Sequence, residues 1–319
     1  MDPRTITVGL LAAFAIPSFT AAHVVSLPRP SASGPTTTTG RPVAQLRAKV
    51  SAHVYVLDSL AGHVSRFPIV DGLVQSQPDA SLNVPTGSSG FALDAEGKQY
   101  VSYTAGQRIN VYARGAKNAD PPERFITIDS SCEPAESAVD GRHYIFVVML
   151  CSHGPTGVTV ISPRGKVSEI STAFVSSIAL DPQGSLYVET TTDLVHPVID
   201  VYTTPETHPK LARSPCFKRA DVGFAGIAVS TQNTLFVGGN HEIDVIKDTD
   251  NSCPVSGHRL ISTVNPQLSH PTLAISGDQV FALERSAQVL LQLDAREDRQ
   301  TPVATVPVAG NPVAVAVGP

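Results

Sequence analysis

The chain has 319 residues, of which 42% are hydrophobic and 16% charged, and its formal net charge is −5 at pH 7. This balance excludes wholesale disorder and provides no general electrostatic attraction to nucleic acid or to an anionic membrane surface. The 26 prolines and 23 glycines interrupt the chain too often for a coiled coil or a protein of long helices.

Residues 1–22 have the composition of an export signal peptide. An apolar run of 11 residues, Ile6–Ile16, is followed by the small residues Thr20, Ala21 and Ala22, which suit cleavage before His23. The run is too short to cross a hydrocarbon core of ~30 Å. We therefore expect a secreted or periplasmic protein with no transmembrane domain in the mature chain. The alternative is an uncleaved signal that holds the protein at the membrane.

The next segment, residues 23–46, is rich in proline, threonine and serine. Such a composition cannot bury enough apolar area to offset the entropy lost on ordering, so we expect an extended or disordered linker. Residues 47–319 are expected to form a single domain.

A repeated unit of apolar residues, turn residues and apolar residues dominates this domain. Its clearest copies are Phe91–Val101 (FALDAEGKQYV), Ile178–Val188 (IALDPQGSLYV) and Ile227–Val237 (IAVSTQNTLFV), and weaker copies begin at Ala138 and Leu273. Each copy predicts two strands joined by a tight turn.

The turn of each clear copy contains residues suited to a hairpin. Gly97, Gly184 and Asn233 occupy a position that requires a positive φ, which glycine and asparagine adopt at low cost. Asp94 and Asp181 open two of these turns, where a carboxylate can accept hydrogen bonds from nearby backbone N–H groups.

The repeat length indicates the architecture. A third strand follows each hairpin, as in Arg108–Tyr112 and Val198–Tyr202, and a fourth strand is expected after most of them. The spacing between equivalent residues of successive first strands is 46, 41, 49 and 46 positions. These residues are Leu93, Val139, Leu180, Val229 and Ile275. A four-stranded repeat of this length is typical of a β-propeller blade.

The two ends of the domain complement each other. Residues 311–317 (NPVAVAV) form a first strand with no hairpin after it, and residues 53–57 (HVYVL) form a second strand with little room for a first strand before it. Pairing of the C-terminal strand with the N-terminal blade would close the ring and protect both edges. The sequence thus predicts an all-β, six-bladed β-propeller with four-stranded blades. The alternative is a β-sandwich of irregular hairpins.

The pattern I/F-A-L/V-D-x-x-G-x-L/Y-Y-V followed by I-x-V-Y resembles the NHL-type repeat of six-bladed propellers that are common in exported bacterial proteins. The resemblance covers roughly residues 50–319. It implies an architecture but no activity, because propellers of this kind include binding proteins, scaffolds, lactonases, lyases and dehydrogenases.

Four cysteines in an exported chain predict two disulfides, for which three connectivities exist. Cys132 lies in the loop that enters the third blade and Cys151 ends the second strand of that blade, so both open on one face and can pair. Cys216 and Cys253 remain, but they lie toward opposite faces unless their loops are long. No C-x-x-C pair suggests a zinc site.

No common catalytic or nucleotide-binding motif occurs in the chain. Propellers of this kind use the face around the central channel, formed by the loops entering each blade and those joining its second and third strands. Candidate residues on this face are Asp58, Glu189, Asn240, His241 and Glu284. Converging side chains of these types could hold Ca²⁺ or Mg²⁺, or act as acid and base; otherwise they are solvated loop residues.

We therefore expect a binding or scaffold module for a protein or glycan ligand, without a cofactor and without nucleic acid as a partner. The alternative is a metal-dependent hydrolase or lyase of the six-bladed, lactonase-like type. For that alternative, the gluconolactonase pattern of Glu, Asp and Asn ligands finds no match in the sequence. Resemblance to the virginiamycin lyases would assign Mg²⁺ to His241 and Glu284.

Overall fold

Alternating apolar residues and tight turns produce a fold of β-strands. The computed structural model describes residues 50–128, 131–151, 157–171, 174–191, 198–203, 210–213, 226–246, 259–263, 268–269 and 271–319. Within these ranges the regular secondary structure consists of strands. None of the described residues form a helix long and apolar enough to cross a membrane. The proposed signal peptide, the proposed linker, Cys216 and Cys253 lie outside the described residues.

The strands of the first three blades follow one another along the chain. Blade 1 contains β1 (Val50–Asp58), β2 (His63–Val70), β3 (Leu73–Val74) and β4 (Ala80–Asn83). Blade 2 contains β5 (Ser88–Leu93), β6 (Gln99–Tyr103), β7 (Arg108–Tyr112) and β8 (Arg124–Thr127). Blade 3 contains β9 (Glu133–Val139), β10 (Ile145–Leu150), β11 (Gly157–Ile161) and β12 (Val167–Ser171).

The remaining strands follow the same order. Blade 4 contains β13 (Phe174–Leu180), β14 (Leu186–Thr191), β15 (Val198–Thr203) and β16 (Lys210–Arg213). Blade 5 contains β17 (Ile227–Val229), β18 (Leu235–Gly238), β19 (Glu242–Ile246) and β20 (Arg259–Thr263). The last strands are β21 (Thr272–Ser276), β22 (Gln279–Glu284), β23 (Val289–Asp294), β24 (Arg299–Gln300), β25 (Ala304–Pro307) and β26 (Pro312–Gly318).

Six small sheets in a ring confirm the prediction of a six-bladed β-propeller. Consecutive strands of a blade pair antiparallel, as in the order β5-β6-β7-β8, and blade 6 has the order β21-β22-β23-β25. The predicted hairpins and third strands are present. Two short pairings were not predicted from sequence: β4 pairs with β2, and β24 runs parallel to β20 on the outer edge of blade 5.

The hairpin turns have the predicted chemistry. The Asp94 carboxylate accepts hydrogen bonds from the N–H groups of Glu96 and Lys98 at 3.0 and 2.8 Å. Gly97 and Asn233 have φ values of +85° and +58°. The side-chain cap and the left-handed residue together hold each turn tight, which sets the register of the hairpin.

Pairing of the C-terminal strand with the N-terminal blade closes the ring, as predicted. Strand β26 lies antiparallel to β1, so that Gly318 faces His53 and Val315 faces Val56. The resulting sheet has the order β26-β1-β2-β3. Blade 1 is therefore assembled from the two ends of the domain.

The apolar core is divided among the interfaces between neighbouring blades. Six clusters of buried side chains are found among the described residues, and each joins two adjacent blades. In the cluster between blades 6 and 1, for example, Phe281 packs with Val56 and Val315. Both faces of every blade are thus covered, which explains the low fraction of charged residues.

Each blade also has a small residue opposite a large one near the channel. An alanine of the innermost strand faces a bulky residue of the second strand in the pairs Ala314–Leu57, Ala92–Tyr100, Ala138–Phe146, Ala179–Tyr187, Ala228–Phe236 and Ala274–Phe281. The innermost strands converge, so small side chains fit there and larger ones fill the wider space outside. We call this position the alanine level. It is the reference from which we compare the height of residues in different blades, that is, their position along the channel axis.

Candidate functional site in the central channel

The innermost strands enclose a central channel of about 750 Å³. Each of these strands is paired on one side only, so its other edge faces the channel. The lining residues at the ends of the innermost and second strands include Ser59, Leu150, Phe174 and Arg285. We call these four residues the channel mouth.

Side chains two residues before the alanine level connect neighbouring blades across the channel wall. In blade 3 this position is Glu136, and in blade 4 it is Ser177. The Ser177 hydroxyl donates a hydrogen bond to Glu136 Oε1 at 3.1 Å and accepts one from the Ile227 N–H at 3.1 Å. A chain of hydrogen bonds thus runs from blade 5 through blade 4 to blade 3.

The equivalent positions in blades 2 and 5 are glycines, Gly90 and Gly226. A Cβ atom at Gly90 would overlap the Ala135 carbonyl oxygen, and one at Gly226 would lie 2.8 Å from the Thr272 Cα. The innermost strands therefore approach each other too closely there for any side chain. At this level the polar side chains of blades 3 and 4 therefore lie between the two glycine positions of blades 2 and 5.

Glu136 is the carboxylic acid of the channel lining. Desolvation raises the pKa of this half-buried group from 4.5 to about 7. The hydrogen bonds from Ser177 and the Ile178 N–H and the positive charge of Arg285 lower the pKa, but their combined effect is smaller. Glu136 was not predicted from the sequence, because it lies inside an innermost strand and the predicted residues lie at strand ends. Alignment of the repeats would have found it, since Gly90, Ser177 and Gly226 stand at the same position.

The raised pKa of Glu136 predicts a specific pH dependence of stability. Between pH 4.5 and about 7 the unfolded chain releases the Glu136 proton while the folded protein keeps it, so stability falls as the pH rises through this range. Glu136→Gln removes this loss. At pH 8 we expect the variant to unfold with a free energy about 1 to 2 kcal/mol above wild type, allowing for solvent screening in the channel, and to match wild type near pH 4.

Urea unfolding at both pH values measures this difference. Glu169→Gln on the exposed surface of β12 is the matched control and should show no pH-dependent gain. Equal stability of Glu136→Gln and wild type at pH 8 would show that the carboxyl is hydrated in the folded state.

Asp58, one of the predicted residues, closes a loop beside the channel. Its buried Oδ1 accepts hydrogen bonds from the N–H groups of Leu60, Ala61 and Asn311 at 3.0, 2.9 and 3.1 Å. The carboxylate therefore holds the β1–β2 turn and the approach to β26 together.

Glu189 and Glu284 are also fully buried and bound to their surroundings. The Ser176 hydroxyl donates a hydrogen bond to Glu189 Oε2. Glu284 accepts hydrogen bonds from the Ser269 N–H and from the N–H and hydroxyl of Ser286. Both carboxylates thus take part in local hydrogen bonds near the face that carries the channel mouth.

The three carboxylates lie at different heights and outside the channel lining. We count along each second strand from the residue that faces the alanine. Asp58 lies one residue further along its strand, Glu189 lies two residues further and Glu284 lies three residues further. The three carboxylates therefore do not meet at one level of the channel. No group of three or more His, Cys, Asp or Glu side chains in the described part of the chain is placed to hold a metal ion.

Asn240 and His241 occupy the turn between β18 and β19 in blade 5. The His241 N–H donates a hydrogen bond to the Leu268 carbonyl at 3.0 Å, and Asn240 forms a β-bridge with Ser269. The backbone N–H of the same Ser269 donates a hydrogen bond to the Glu284 carboxylate in blade 6. The structure thus brings these three predicted residues to one short segment, while Asp58 and Glu189 lie in other blades.

The predicted disulfide between Cys132 and Cys151 is present, with the two Cα atoms 4.3 Å apart. It joins the residue before β9 to the residue after β10. Leu150, in the channel mouth, directly precedes Cys151. The disulfide therefore fixes the part of blade 3 that borders the opening.

Six antiparallel blades around a lined channel define the class of this protein as a six-bladed β-propeller. No protein-family model and no curated protein matches the chain. A chain of the crystal structure of a nidogen/laminin complex is similar in structure, with 14% identity and a TM-score of 0.68, over 84% of this chain and 99% of that one.

Two further solved structures are similar in fold. Hydrazine synthase of Kuenenia stuttgartiensis has 12% identity and a TM-score of 0.54, over 87% of this chain and 92% of that one. Virginiamycin B lyase from Staphylococcus aureus has 16% identity and a TM-score of 0.50, over 82% and 83%. At these identities the similarity extends to the fold alone.

Proposed function

We propose that this chain is an exported, NHL-like propeller that binds a protein or glycan ligand at the channel mouth. The observation that carries the proposal is the composition of this mouth. Leu150 and Phe174 are 46% and 40% exposed, and together with Arg285 they border the mouth of a channel of about 750 Å³. Exposed apolar groups combined with a few polar ones around a concave opening are typical of binding sites.

Two further observations support the proposal, one for export and one for binding. The disulfide next to Leu150 agrees with an oxidising, extracytoplasmic compartment, as the sequence of residues 1–22 suggests. A propeller of similar fold occurs in a nidogen/laminin complex, an assembly of proteins.

Substitutions in the channel mouth test this proposal. Ligands are first selected on the wild-type protein from a glycan microarray and a displayed peptide library. A carboxylate placed among the apolar contacts by Leu150→Asp or Phe174→Asp should weaken binding of the selected ligands about tenfold or more. Leu73→Asp is the matched control, since Leu73 is 45% exposed on the outer part of blade 1.

The control and the selections can each contradict the proposal. Binding that withstands both mouth substitutions, or that Leu73→Asp weakens equally, would place the ligand elsewhere. Circular dichroism and the midpoint of thermal unfolding confirm that each variant is folded.

A hydrolase or lyase acting on a lactone or ester-like substrate is the second candidate function. It is favoured by one observation, a channel carboxyl with a pKa of about 7 hydrogen-bonded to the Ser177 hydroxyl, because such a group can both donate and accept a proton near neutral pH. A divalent metal would need several oxygen ligands. The described carboxylates do not supply them, because Asp58, Glu189 and Glu284 lie apart.

Turnover of a panel of lactones and esters, with and without Ca²⁺ or Mg²⁺, separates the two functions. Activity that Glu136→Gln abolishes and Leu73→Asp retains would establish the enzyme. Absence of turnover together with ligand binding that depends on the channel mouth would establish the binding protein.

A further inference from the structure

Arg285 extends from the turn after β22 into the channel mouth. Its Nη2 donates a hydrogen bond to the Val313 carbonyl at 2.9 Å, on the open edge of β26. Within the described residues this is the one hydrogen bond of the guanidinium, which carries five N–H donors. The Arg285 side chain is exposed to solvent at this end of the channel, and desolvation by the protein nearby lowers its pKa. Most of its donors therefore have no acceptor among the described residues and remain accessible from the channel mouth.

The charges that line the channel are few. Among the described lining residues, Glu136 and Arg285 are the charged ones. Strand β13, which packs against β9 at this level, presents Ser177 and Ile178 to Glu136. The charged group that acts on Glu136 is Arg285. With Glu136 protonated, the described channel lining therefore carries a net positive charge.

We propose that the channel mouth binds an anionic group of the ligand, a carboxylate or a sulfate, on the guanidinium of Arg285. The inference rests on the proposed binding function and specifies the ligand chemistry of that site. A planar guanidinium can donate two parallel hydrogen bonds to such a group, which makes arginine well suited to bind a carboxylate or a sulfate. Leu150 and Phe174 border the same opening from blades 3 and 4 and can contact an apolar part of the ligand.

The position of Glu136 gives this site a dependence on pH. Above about pH 7 its ionised carboxylate repels an incoming anion and competes for Arg285, whereas below that pH the neutral acid does neither. Anion affinity should therefore rise as the pH falls from 8 to 6. Glu136→Gln should bind at pH 8 as wild type binds at pH 6.

The test is a titration of the wild-type protein with D-glucuronate, sodium sulfate and glucose at pH 6 and pH 8. Ionic strength is held constant and binding is followed by NMR chemical shifts. We expect saturable binding of at least one anion, at least threefold tighter at pH 6, and about tenfold weaker binding in Arg285→Gln. Arg296→Gln is the control, because Arg296 is exposed and paired with Asp294 outside the channel.

The outcomes separate this inference from the proposed function. Glucuronate binding alone would identify a carboxylated ligand, and sulfate binding alone a sulfated one. Equal binding of glucose and glucuronate, an unaffected Arg285→Gln variant, or no anion binding would overturn the inference. If the ligands selected at the channel mouth prove to be neutral, the binding function stands and the anion site fails. If no selected ligand depends on Leu150 or Phe174, the binding function itself fails.

Discussion

Deletion of residues 311–319 should lower the free energy of unfolding by about 5 kcal/mol or more. Because this is comparable to the whole stability of a typical domain, the truncated chain should no longer show a cooperative unfolding transition. The deletion removes β26, exposes the edge of β1 and opens the cluster in which Val315 packs with Val56 and Phe281. Blade 1 would then contact blade 2 and blade 6 without its innermost strand. Thermal unfolding followed by circular dichroism measures the effect.

A rearranged chain provides the control for this deletion. Because Gly318 faces His53 in the antiparallel pair, residues 311–318 can be placed before His53 and joined to it by a short glycine-containing turn. This variant rebuilds blade 1 from one continuous segment and should recover most of the stability. A truncated chain as stable as wild type would show that β26 is dispensable. Failure of the rearranged chain, with the truncated one unfolded, would assign β26 a role other than strand pairing.

Replacing Cys132 and Cys151 together by serine should lower the free energy of unfolding by about 3 kcal/mol. The disulfide closes a loop with a sequence separation of 19, and the loss of this restraint increases the entropy of the unfolded chain. Urea unfolding of wild type and the double variant under oxidising conditions measures the difference. In excess reductant the two proteins should become nearly equal, which serves as the control.

A small difference under oxidising conditions would contradict this prediction. It would mean that the unfolded chain is already restrained over residues 132–151. The same double variant should also weaken ligand binding at the channel mouth, because Leu150 adjoins the disulfide.

The fold was predictable because its information is local and repeated. The Ala-Leu-Asp pattern around Ala92 and Ala179 sets the innermost strand, the turn and the register in one short stretch, and the spacing of such stretches sets the number of blades. Strand β24 carries no such signal. Its two residues pair with β20 only because blade 6 passes the outer edge of blade 5.

The site was harder to predict because it depends on where each side chain lies along the channel axis and on which neighbouring blade it faces, as well as on strand order. Asp58, Glu189 and Glu284 share a place in the sequence pattern, yet they lie at three different heights along the channel and accept hydrogen bonds from different nearby donors. Glu136 lies within a strand, where a pattern of apolar alternation gives a carboxylate no functional meaning. Its importance comes from the neighbouring blade, which supplies Ser177 and the Ile178 N–H.

Closure of the ring by distant segments also sets an order for folding. The Tyr55 hydroxyl donates a hydrogen bond to the Pro319 carbonyl, 264 positions away, whereas blades 2, 3 and 4 are built from consecutive strands. During synthesis, one edge of β1 remains unpaired until the strands of the other five blades have been made. Such a long loop closes slowly, so we expect completion of blade 1 to limit the folding rate. A chaperone that covers the β1 edge would therefore act on this protein in the interval before β26 arrives.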